Sequence, residues 1–245
     1  MRNIKLTIEY DGKDFNGWQK QPTKLNIQGT IEQAIKQITG EEVQLDASGR
    51  TDAGVHAFGQ VANFKTNSQI PIDKFAIAIN SKLKRSIVIK KAEEVDERFH
   101  SRLNCKKKTY RYVINNTPEG TAIYRNLETH IPQKLNVEKM KEAVKFFEGE
   151  HDFKAFKASG TSSKSSVRTI YKAEVRKEGD NIIIELTGNG FLYNMVRIIS
   201  GTLLDVGLGK IKPEEIPEII ESKDRQRAGR TLPAHGLYLV QVVYN

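Results

Sequence analysis

The 245-residue sequence contains a single cysteine, Cys105. One cysteine cannot form a disulfide within the chain, and it excludes zinc and iron–sulfur sites that need several cysteines. No apolar run approaches the ~18 residues that a membrane-spanning helix requires. The N-terminus lacks the apolar block of a signal peptide. We therefore expect a cytoplasmic protein in a reducing compartment, with no membrane partner.

The motifs of nucleotide- and metal-dependent chemistry are also missing. No GxxxxGK[ST] phosphate loop and no GxSxG nucleophile elbow occurs. The segment Gly188-Asn189-Gly190 opens like a dinucleotide-binding fingerprint, but Tyr193 stands where the third glycine should be. The five histidines show no metal-ligand spacing. The sequence predicts no nucleotide cofactor and no metal, which leaves a carboxylate as the best candidate for covalent or acid–base work.

Acidic residues are fewer than basic ones. Lysine and arginine total 39 against 30 aspartates and glutamates, which gives a net charge of +9. Two stretches, 98–111 and 153–173, contain no acidic residue at all. Any one such run is typical of a solvated protein face. Together with the overall excess, the two runs favour a polyanionic partner and a path for a phosphate backbone.

Hydrophobic periodicity predicts alternating strands and helices. Residues 3–10 alternate with period two, as in a strand with one buried face. Apolar residues recur at helical spacing over 27–38, with Asn26 as N-cap and Gly40 as the stop. The same reasoning predicts further strands near 43–47, 58–66, from 87 onward, and at 108–115, 167–176, 181–187 and 237–244, and helices over 73–82, 136–148, 191–205 and 213–222.

Each half of this order reads βαββαβ, the ferredoxin-like arrangement. We expect an α+β fold of two tandem halves, residues 1–105 and 106–245, joined through a largely antiparallel central sheet. The first half carries the loop that contains Asp52, and the second half carries the segments that contain Tyr110 and Arg197. The Ser- and Gly-rich segment 158–166 predicts a flexible loop.

The segment SGRTDAGVHAFGQ, from Ser48 to Gln60, is a candidate site. Gly49 and Gly54 bracket Arg50-Thr51-Asp52, so a tight loop could bring its backbone close to a ligand. On spacing alone, the favoured interpretation is a polar turn in which Asp52 hydrogen-bonds its own backbone.

A second candidate lies in the helix near 191–205. From Phe191 to Leu204, Arg197 is the only charged residue and apolar residues lie all round, which predicts a buried helix. A buried guanidinium needs a carboxylate partner, because an unpaired charge there costs several kcal/mol, roughly. The alternative is an arginine at the helix edge whose head reaches water.

Five ordered segments together resemble the tRNA pseudouridine synthase A family, and the match extends along nearly the whole chain. They are YDGKDFNGWQKQP, GRTDAGVHAFGQV, RFHSRLNCKKKTYRYVI, GNGFLYNMVRIISGTLLDVG and PAHGLYLVQVVY. The resemblance implies the pseudouridine synthase fold and isomerisation of uridine to pseudouridine in the anticodon stem-loop of tRNA, at tRNA positions 38, 39 and 40. It also implies a homodimer that needs no cofactor.

The resemblance also implies roles for individual residues. Asp52 matches the catalytic aspartate, which acts on the ribose as nucleophile at C1′ or as base at C2′. Tyr110 matches the tyrosine that stacks on the uracil, and Arg197 matches the arginine that pairs with the aspartate. Arg50 matches the residue that intrudes beside the flipped base. Leu237 would line the apolar side of the pocket.

Basic residues next to Tyr110 are candidates for holding the tRNA backbone: Lys106, Lys107, Lys108 and Arg111. For Tyr110 itself, the alternative is a buried strand tyrosine that shares a face with Tyr112 and Ile114. Two other functions stay open on the residues alone. One is a non-catalytic RNA-binding protein or RNA chaperone. The other is a glycoside-cleaving enzyme, which usually needs a second carboxylate that the segment around Asp52 does not supply.

Overall fold

Ten strands and five α-helices occur in the computed structural model, which describes residues 1–160 and 165–244. The predicted loop at 158–166 thus lies partly outside the described residues. Contacts divide the chain into one unit of Met1–Lys106 with the C-terminal strand from Tyr238 onward, and a second unit of Lys107–Leu237. The division into domains 1–105 and 106–245 stays a prediction. No described helix is long and apolar enough to cross a membrane.

The elements follow one another in a regular order. The first part of the chain forms β1 (Arg2–Tyr10), α1 (Ile27–Thr39), β2 (Asp46–Ala47), β3 (His56–Thr66), α2 (Ile72–Asn80) and β4 (Ile87–Val95). The rest forms β5 (Lys107–Asn115), β6 (Thr129–His130), α3 (Val137–Val144), β7 (Gly149–Asp152), β8 (Val167–Glu178), β9 (Asn181–Gly188), α4 (Met195–Gly207), α5 (Ile216–Ser222) and β10 (Leu237–Val243).

In the first unit, β1 is the centre of an antiparallel sheet. It pairs with β3 on one side and with β4 on the other, and the short β2 pairs with β3. β10 lies parallel to β3 at the end of β3 that begins with His56. The alternation predicted for β1 is confirmed, because Ile4, Leu6 and Ile8 are all fully buried.

Helix α1 shows why the local sequence decides where an element begins and ends. The Asn26 side chain accepts a hydrogen bond from the Gly29 amide and so satisfies one of the free donors of the first turn. Gly40 ends the helix in the left-handed conformation, with φ of 76°. Both predicted boundaries are confirmed. The apolar stripe of α1 is buried, and its opposite face is largely exposed.

In the second unit, four strands pair antiparallel in the order β5, β9, β8, β7, and β6 lies parallel beside β5. Helix α3 packs against α4 and β8. Eleven of the thirteen residues of α4 are buried, so the prediction of a buried helix is confirmed.

The α+β class with a largely antiparallel sheet is confirmed, and the first unit follows the predicted βαββαβ order. Some boundaries were wrong. The helix predicted at 191–205 begins only at Met195, because Asn194 has a left-handed backbone with φ of 60°. The helix predicted at 136–148 ends at Val144 and continues as a 3-10 turn, Lys145–Phe147. The strand near 43–47 shrinks to Asp46–Ala47.

Candidate active site

The loop between β2 and β3 carries Arg50 and Asp52, and backbone hydrogen bonds tie it to the segment after β1. The Trp18 amide donates to the Thr51 carbonyl at 3.0 Å, and the Gly54 amide donates to the Phe15 carbonyl at 3.3 Å. Gly54 adopts φ of 78°, a conformation that side chains disfavour. The path of the loop is therefore set on both sides of Asp52.

Two buried side chains, Tyr10 and Gln60, hydrogen-bond residues of the same loop. The Tyr10 hydroxyl hydrogen-bonds the Thr51 hydroxyl at 2.7 Å. The fully buried Gln60 donates to the Gly49 carbonyl at 2.9 Å, and its Oε1 accepts from the Ser48 hydroxyl at 2.7 Å. Burial raises the pKa of Tyr10 well above its ordinary range, so its hydroxyl stays protonated. Sequence reasoning missed both residues, although Gln60 closes the segment that it singled out.

Arg50 and Asp52 differ in exposure. Arg50 is exposed, whereas Asp52 is partly buried. The backbone carbonyl of Asp52 accepts from the Val55 amide at 3.1 Å and closes a turn. A backbone turn is therefore present at Asp52, whereas the predicted hydrogen bond from the Asp52 side chain to its own backbone stays a prediction.

His56 has a structural position at the start of β3. It is 2% exposed, and its Nδ1 accepts a hydrogen bond from the Gly12 amide at 3.1 Å. Its ring stacks on Tyr238 with centroids 4.9 Å apart. The hydrogen bond holds the segment before α1 against β3, the ring contact packs β10 on β3, and both agree with a supporting role.

Gly12 provides a test of this support. A Cβ at Gly12 would lie 1.9 Å from the Val55 carbonyl oxygen, which is backbone and has little freedom to move. We expect Gly12→Ala to lower the free energy of unfolding by about 1–3 kcal/mol, the usual effect of overpacking, and to displace the Asp52 loop. Thermal unfolding followed by circular dichroism measures this change.

Gly40→Ala is the matched control for Gly12→Ala. Gly40 has a positive φ, but nothing lies within 4 Å of the added Cβ. We expect Gly40→Ala to lower the free energy of unfolding by only about 1 kcal/mol, from backbone strain, and to leave activity unchanged. Equal effects of the two substitutions on activity would contradict the close approach of Gly12 to the loop.

Tyr110 lies on β5 in the second unit, opposite Leu186 of β9. It is 8% exposed, and its ring packs edge-on against Phe191 with centroids 5.1 Å apart. Tyr112 and Ile114 share its face and are fully buried. The predicted shared face is confirmed, and only a small part of the Tyr110 ring is accessible.

Arg197 is partly buried in the otherwise apolar α4. Its Nε donates to the Leu232 carbonyl at 2.6 Å, and its Nη1 donates to the Asn194 side chain at 2.7 Å. Two of the five guanidinium N–H donors are thereby fixed in direction. Sequence reasoning missed Asn194, whose left-handed conformation places it at the start of α4.

The Leu232 carbonyl reaches Arg197 because the chain around 229–232 crosses α4 at very short range. A Cβ at Gly201 would lie 1.8 Å from the Arg230 carbonyl oxygen. The Gly229 amide donates to the Thr202 hydroxyl at 2.8 Å. Leu237 follows this segment as the first residue of β10 and is 6% exposed.

The predicted backbone-binding residues in and beside β5 are divided between its two faces. Side chains alternate along a strand, so Lys108 shares the face of Tyr110, whereas Lys107 and Arg111 lie on the opposite face of β5. Arg111 pairs with Glu185 at 3.0 Å. The Lys107 ammonium lies 5.3 Å from the centre of the Tyr171 ring. Lys106 is exposed just before β5.

Within residues 1–160 and 165–244, no group of three or more His, Cys, Asp and Glu side chains is placed to hold a metal ion.

Comparison with known proteins identifies relatives over the full length of the chain. A family model described as tRNA pseudouridine synthase matches residues 6–104 and 143–245. The chain is 55% identical to "tRNA pseudouridine synthase A" of Acetivibrio thermocellus and 56% identical to the protein of that name from Caldicellulosiruptor bescii. It is 55% identical to "tRNA pseudouridine synthase A 2" of Clostridium perfringens. Each match covers 100% of both chains.

Proposed function

The chain belongs to the tRNA pseudouridine synthase A family, and on that premise we propose that it isomerises uridine to pseudouridine in the anticodon stem-loop of tRNA. The proposed targets are tRNA positions 38, 39 and 40. The observation that carries the proposal is full-length identity above one half to enzymes of that name. The rigid support of the Asp52 loop agrees with it, because a catalytic carboxylate must be held in one position.

The reaction balances without a cofactor. The bond between ribose C1′ and uracil N1 breaks, and a bond between C1′ and C5 forms. N1 takes up a proton, and C5 releases one. No group donor, water or net change of oxidation state is involved, so the protein needs to supply binding, orientation, a carboxylate and an acceptor for the C5 proton.

We assign Asp52 to the ribose, as nucleophile at C1′ or as base at C2′. A carboxylate close to an anomeric carbon stabilises oxocarbenium character or bonds to it, as in glycosidases. Uridine deuterated at C2′ separates the two roles. Removal of the C2′ proton predicts a primary isotope effect on the first step, and attack at C1′ predicts none.

The remaining assignments follow from the chemistry of a flipped base. Tyr110 offers an aromatic surface for the uracil, and Leu237 offers an apolar one. Arg197 is the proposed partner of the Asp52 carboxylate, which it would keep ionised. The exposed Arg50 is suited to contact RNA beside the extruded base. We also propose that the enzyme is cytoplasmic and forms a homodimer. Sedimentation of the purified protein tests the homodimer.

The decisive experiment uses unmodified tRNA transcript. Pseudouridine has the mass of uridine, so it is mapped by carbodiimide adducts that stop reverse transcription. Stops in the anticodon arm support the proposal. Tight tRNA binding without stops would favour a non-catalytic RNA-binding protein instead. Stops elsewhere in the tRNA would retain the chemistry and contradict the proposed target.

Lys108 should matter more for tRNA binding than Arg111. Lys108 shares the face of Tyr110, whereas Arg111 lies opposite and pairs with Glu185. We expect Lys108→Ala to raise the Kd for tRNA and to reduce the slope of log K against log salt by about 0.7–0.9, the value for one phosphate contact. Filter binding across a salt series measures this slope.

Arg111→Ala is the matched control, because it removes the same charge three residues away on the same strand. It should leave the salt slope close to that of the wild type. A larger loss for Arg111→Ala than for Lys108→Ala would contradict the assignment of faces.

A further inference from the structure

One groove of the first unit is positively charged and has no carboxylate in its lining. Its volume is about 390 Å³, within the ~300–1,000 Å³ typical of ligand sites. It is lined by α1, by residues that lead into α1, by residues between α2 and β4, and by Ile87 at the start of β4. The exposed Lys24, Lys82 and Lys84 all line it, and none of them forms an ion pair with the residues that the structure describes.

The groove also offers the other surfaces that a nucleotide uses. The side chain of Leu25 is 53% exposed there, next to the buried Phe15 and Ala34. Gln33 and Gln37 lie one helical turn apart on α1, and both are exposed. Apolar surface receives the face of a base or ribose, and side-chain amides hydrogen-bond the edges of bases.

Another cavity of the same unit lacks this character. Its volume is about 480 Å³, and its lining mixes three carboxylates, from Glu42, Asp46 and Glu97, with the cations Lys65 and Arg98. Opposite charges largely offset one another there, whereas the charged side chains of the groove beside α1 are all positive and attract a phosphate backbone. Charge therefore distinguishes the two cavities, although their sizes are similar.

The groove is continuous with the support of the Asp52 loop. Phe15 lines the groove, and its carbonyl accepts the Gly54 amide at 3.3 Å. The next residue, Asn16, donates its amide to the carbonyl of Leu25 at 2.8 Å. The segment that holds the loop thus also forms one wall of the groove.

We propose that this groove binds a nucleotide of the tRNA substrate outside the catalytic pocket, with its phosphates held by Lys24, Lys82 and Lys84. The inference rests on the proposed function, since it assigns the tRNA of that reaction to the groove. It adds a contact that extends the footprint of the enzyme beyond the base that reacts.

The test is a triple variant, Lys24→Gln, Lys82→Gln and Lys84→Gln. All three side chains are exposed, so the substitutions leave the core intact. We expect the Kd for tRNA transcript to rise and the slope of log K against log salt to fall by roughly two units, at ~0.7 for each phosphate contact to a single strand. An unchanged slope would overturn the proposal.

The matched control is Lys134→Gln, Lys139→Gln and Lys177→Gln. These lysines are also exposed, form no ion pair with any described residue and lie in the second unit, so the net charge changes equally. An equal fall of the slope in both triple variants would show that only the net charge matters and would overturn the assignment of tRNA to the groove. A photoreactive benzophenone side chain in place of Gln33 tests contact with the groove directly. We expect it to crosslink to tRNA, and a lack of crosslinking would contradict the proposal.

The outcome also separates this inference from the proposed function. If the wild-type protein forms pseudouridine and the groove variant keeps its salt slope, the groove assignment alone is wrong. A second outcome is that the wild type forms no pseudouridine, only the groove variant loses tRNA affinity, and the side chain at position 33 crosslinks to tRNA. In that case the groove assignment holds and the proposed reaction is wrong.

Discussion

Replacing Asp52 with asparagine should abolish pseudouridine formation while tRNA binding persists. An amide has the size of a carboxylate, but it is neither a nucleophile towards C1′ nor a base towards C2′. We expect the single-turnover rate to fall by about 10⁴-fold, the upper end of what one acid–base group contributes. Release of tritium from tRNA labelled at uracil C5 measures the rate, because forming the C1′–C5 bond expels that hydrogen.

Asp14→Asn is the matched control for Asp52→Asn. Asp14 is an exposed carboxylate between β1 and α1, and its loss changes the net charge by the same amount. Its rate should stay within about twofold of the wild type, since surface changes of this kind have small effects. Tritium release by Asp52→Asn at the rate of Asp14→Asn would contradict the assignment of the catalytic carboxylate.

The elements with the strongest local signals were predictable from sequence. Strand β1 alternates cleanly, and α1 has both a capping asparagine and a terminal glycine, so local chemistry alone sets their bounds. The boundary at Asn194 was not predictable. The residues before it are apolar and continue the helical pattern, and only the left-handed backbone of Asn194 interrupts it.

The site was predictable in its residue types but not in its supports. Arg50, Asp52 and Arg197 stand out as charges in unusual surroundings, between glycines or inside an apolar helix. Gln60 and Tyr10 do not, because a polar residue in a strand is common. Their importance depends on which polar groups lie within 3 Å, the Thr51 hydroxyl for Tyr10 and the Gly49 carbonyl for Gln60, and the fold alone brings those groups together.

Strand alternation also divides the basic residues near Tyr110 between two faces of β5. Lys107, Lys108 and Arg111 are close in sequence, and all three are candidates for holding the tRNA backbone. Neighbouring residues of a strand point to opposite faces, so closeness in sequence argues against a shared surface once β5 is recognised. The strand was itself predicted at 108–115, so the opposite faces of Lys108 and Arg111 could have been drawn from it.

Gln60 should be a positioning residue whose loss lowers kcat much more than it changes tRNA affinity. Its amide is fully buried and joins β3 to both Ser48 and Gly49 at the start of the Asp52 loop. Gln60→Met keeps the volume but leaves the Gly49 carbonyl and the Ser48 hydroxyl without this partner. Losing a hydrogen-bond partner in the interior costs about 1–3 kcal/mol, and this cost favours a shift of the loop.

We expect Gln60→Met to lower kcat by roughly 10²-fold, the effect of displacing a catalytic group by about 1 Å, with the Kd for tRNA unchanged. Asn63→Leu is the matched control, since Asn63 is a buried amide on the same strand that binds Asn3 and the Ser101 amide, away from the loop. It should lose similar stability and keep kcat when measured below its unfolding temperature. Equal losses of kcat in the two variants would identify a general effect of destabilising β3.

Gln60→Glu adds a readout that a merely structural role would not produce. A protonated glutamic acid can donate to the Gly49 carbonyl as the amide does, whereas the carboxylate repels that oxygen. Burial raises the pKa of a carboxyl above its ordinary ~4.3, because desolvation disfavours the charged form. The rate of Gln60→Glu relative to the wild type should therefore rise as the pH falls through this raised pKa. A ratio that stays flat with pH would mean that the hydrogen bond to Gly49 does not position Asp52.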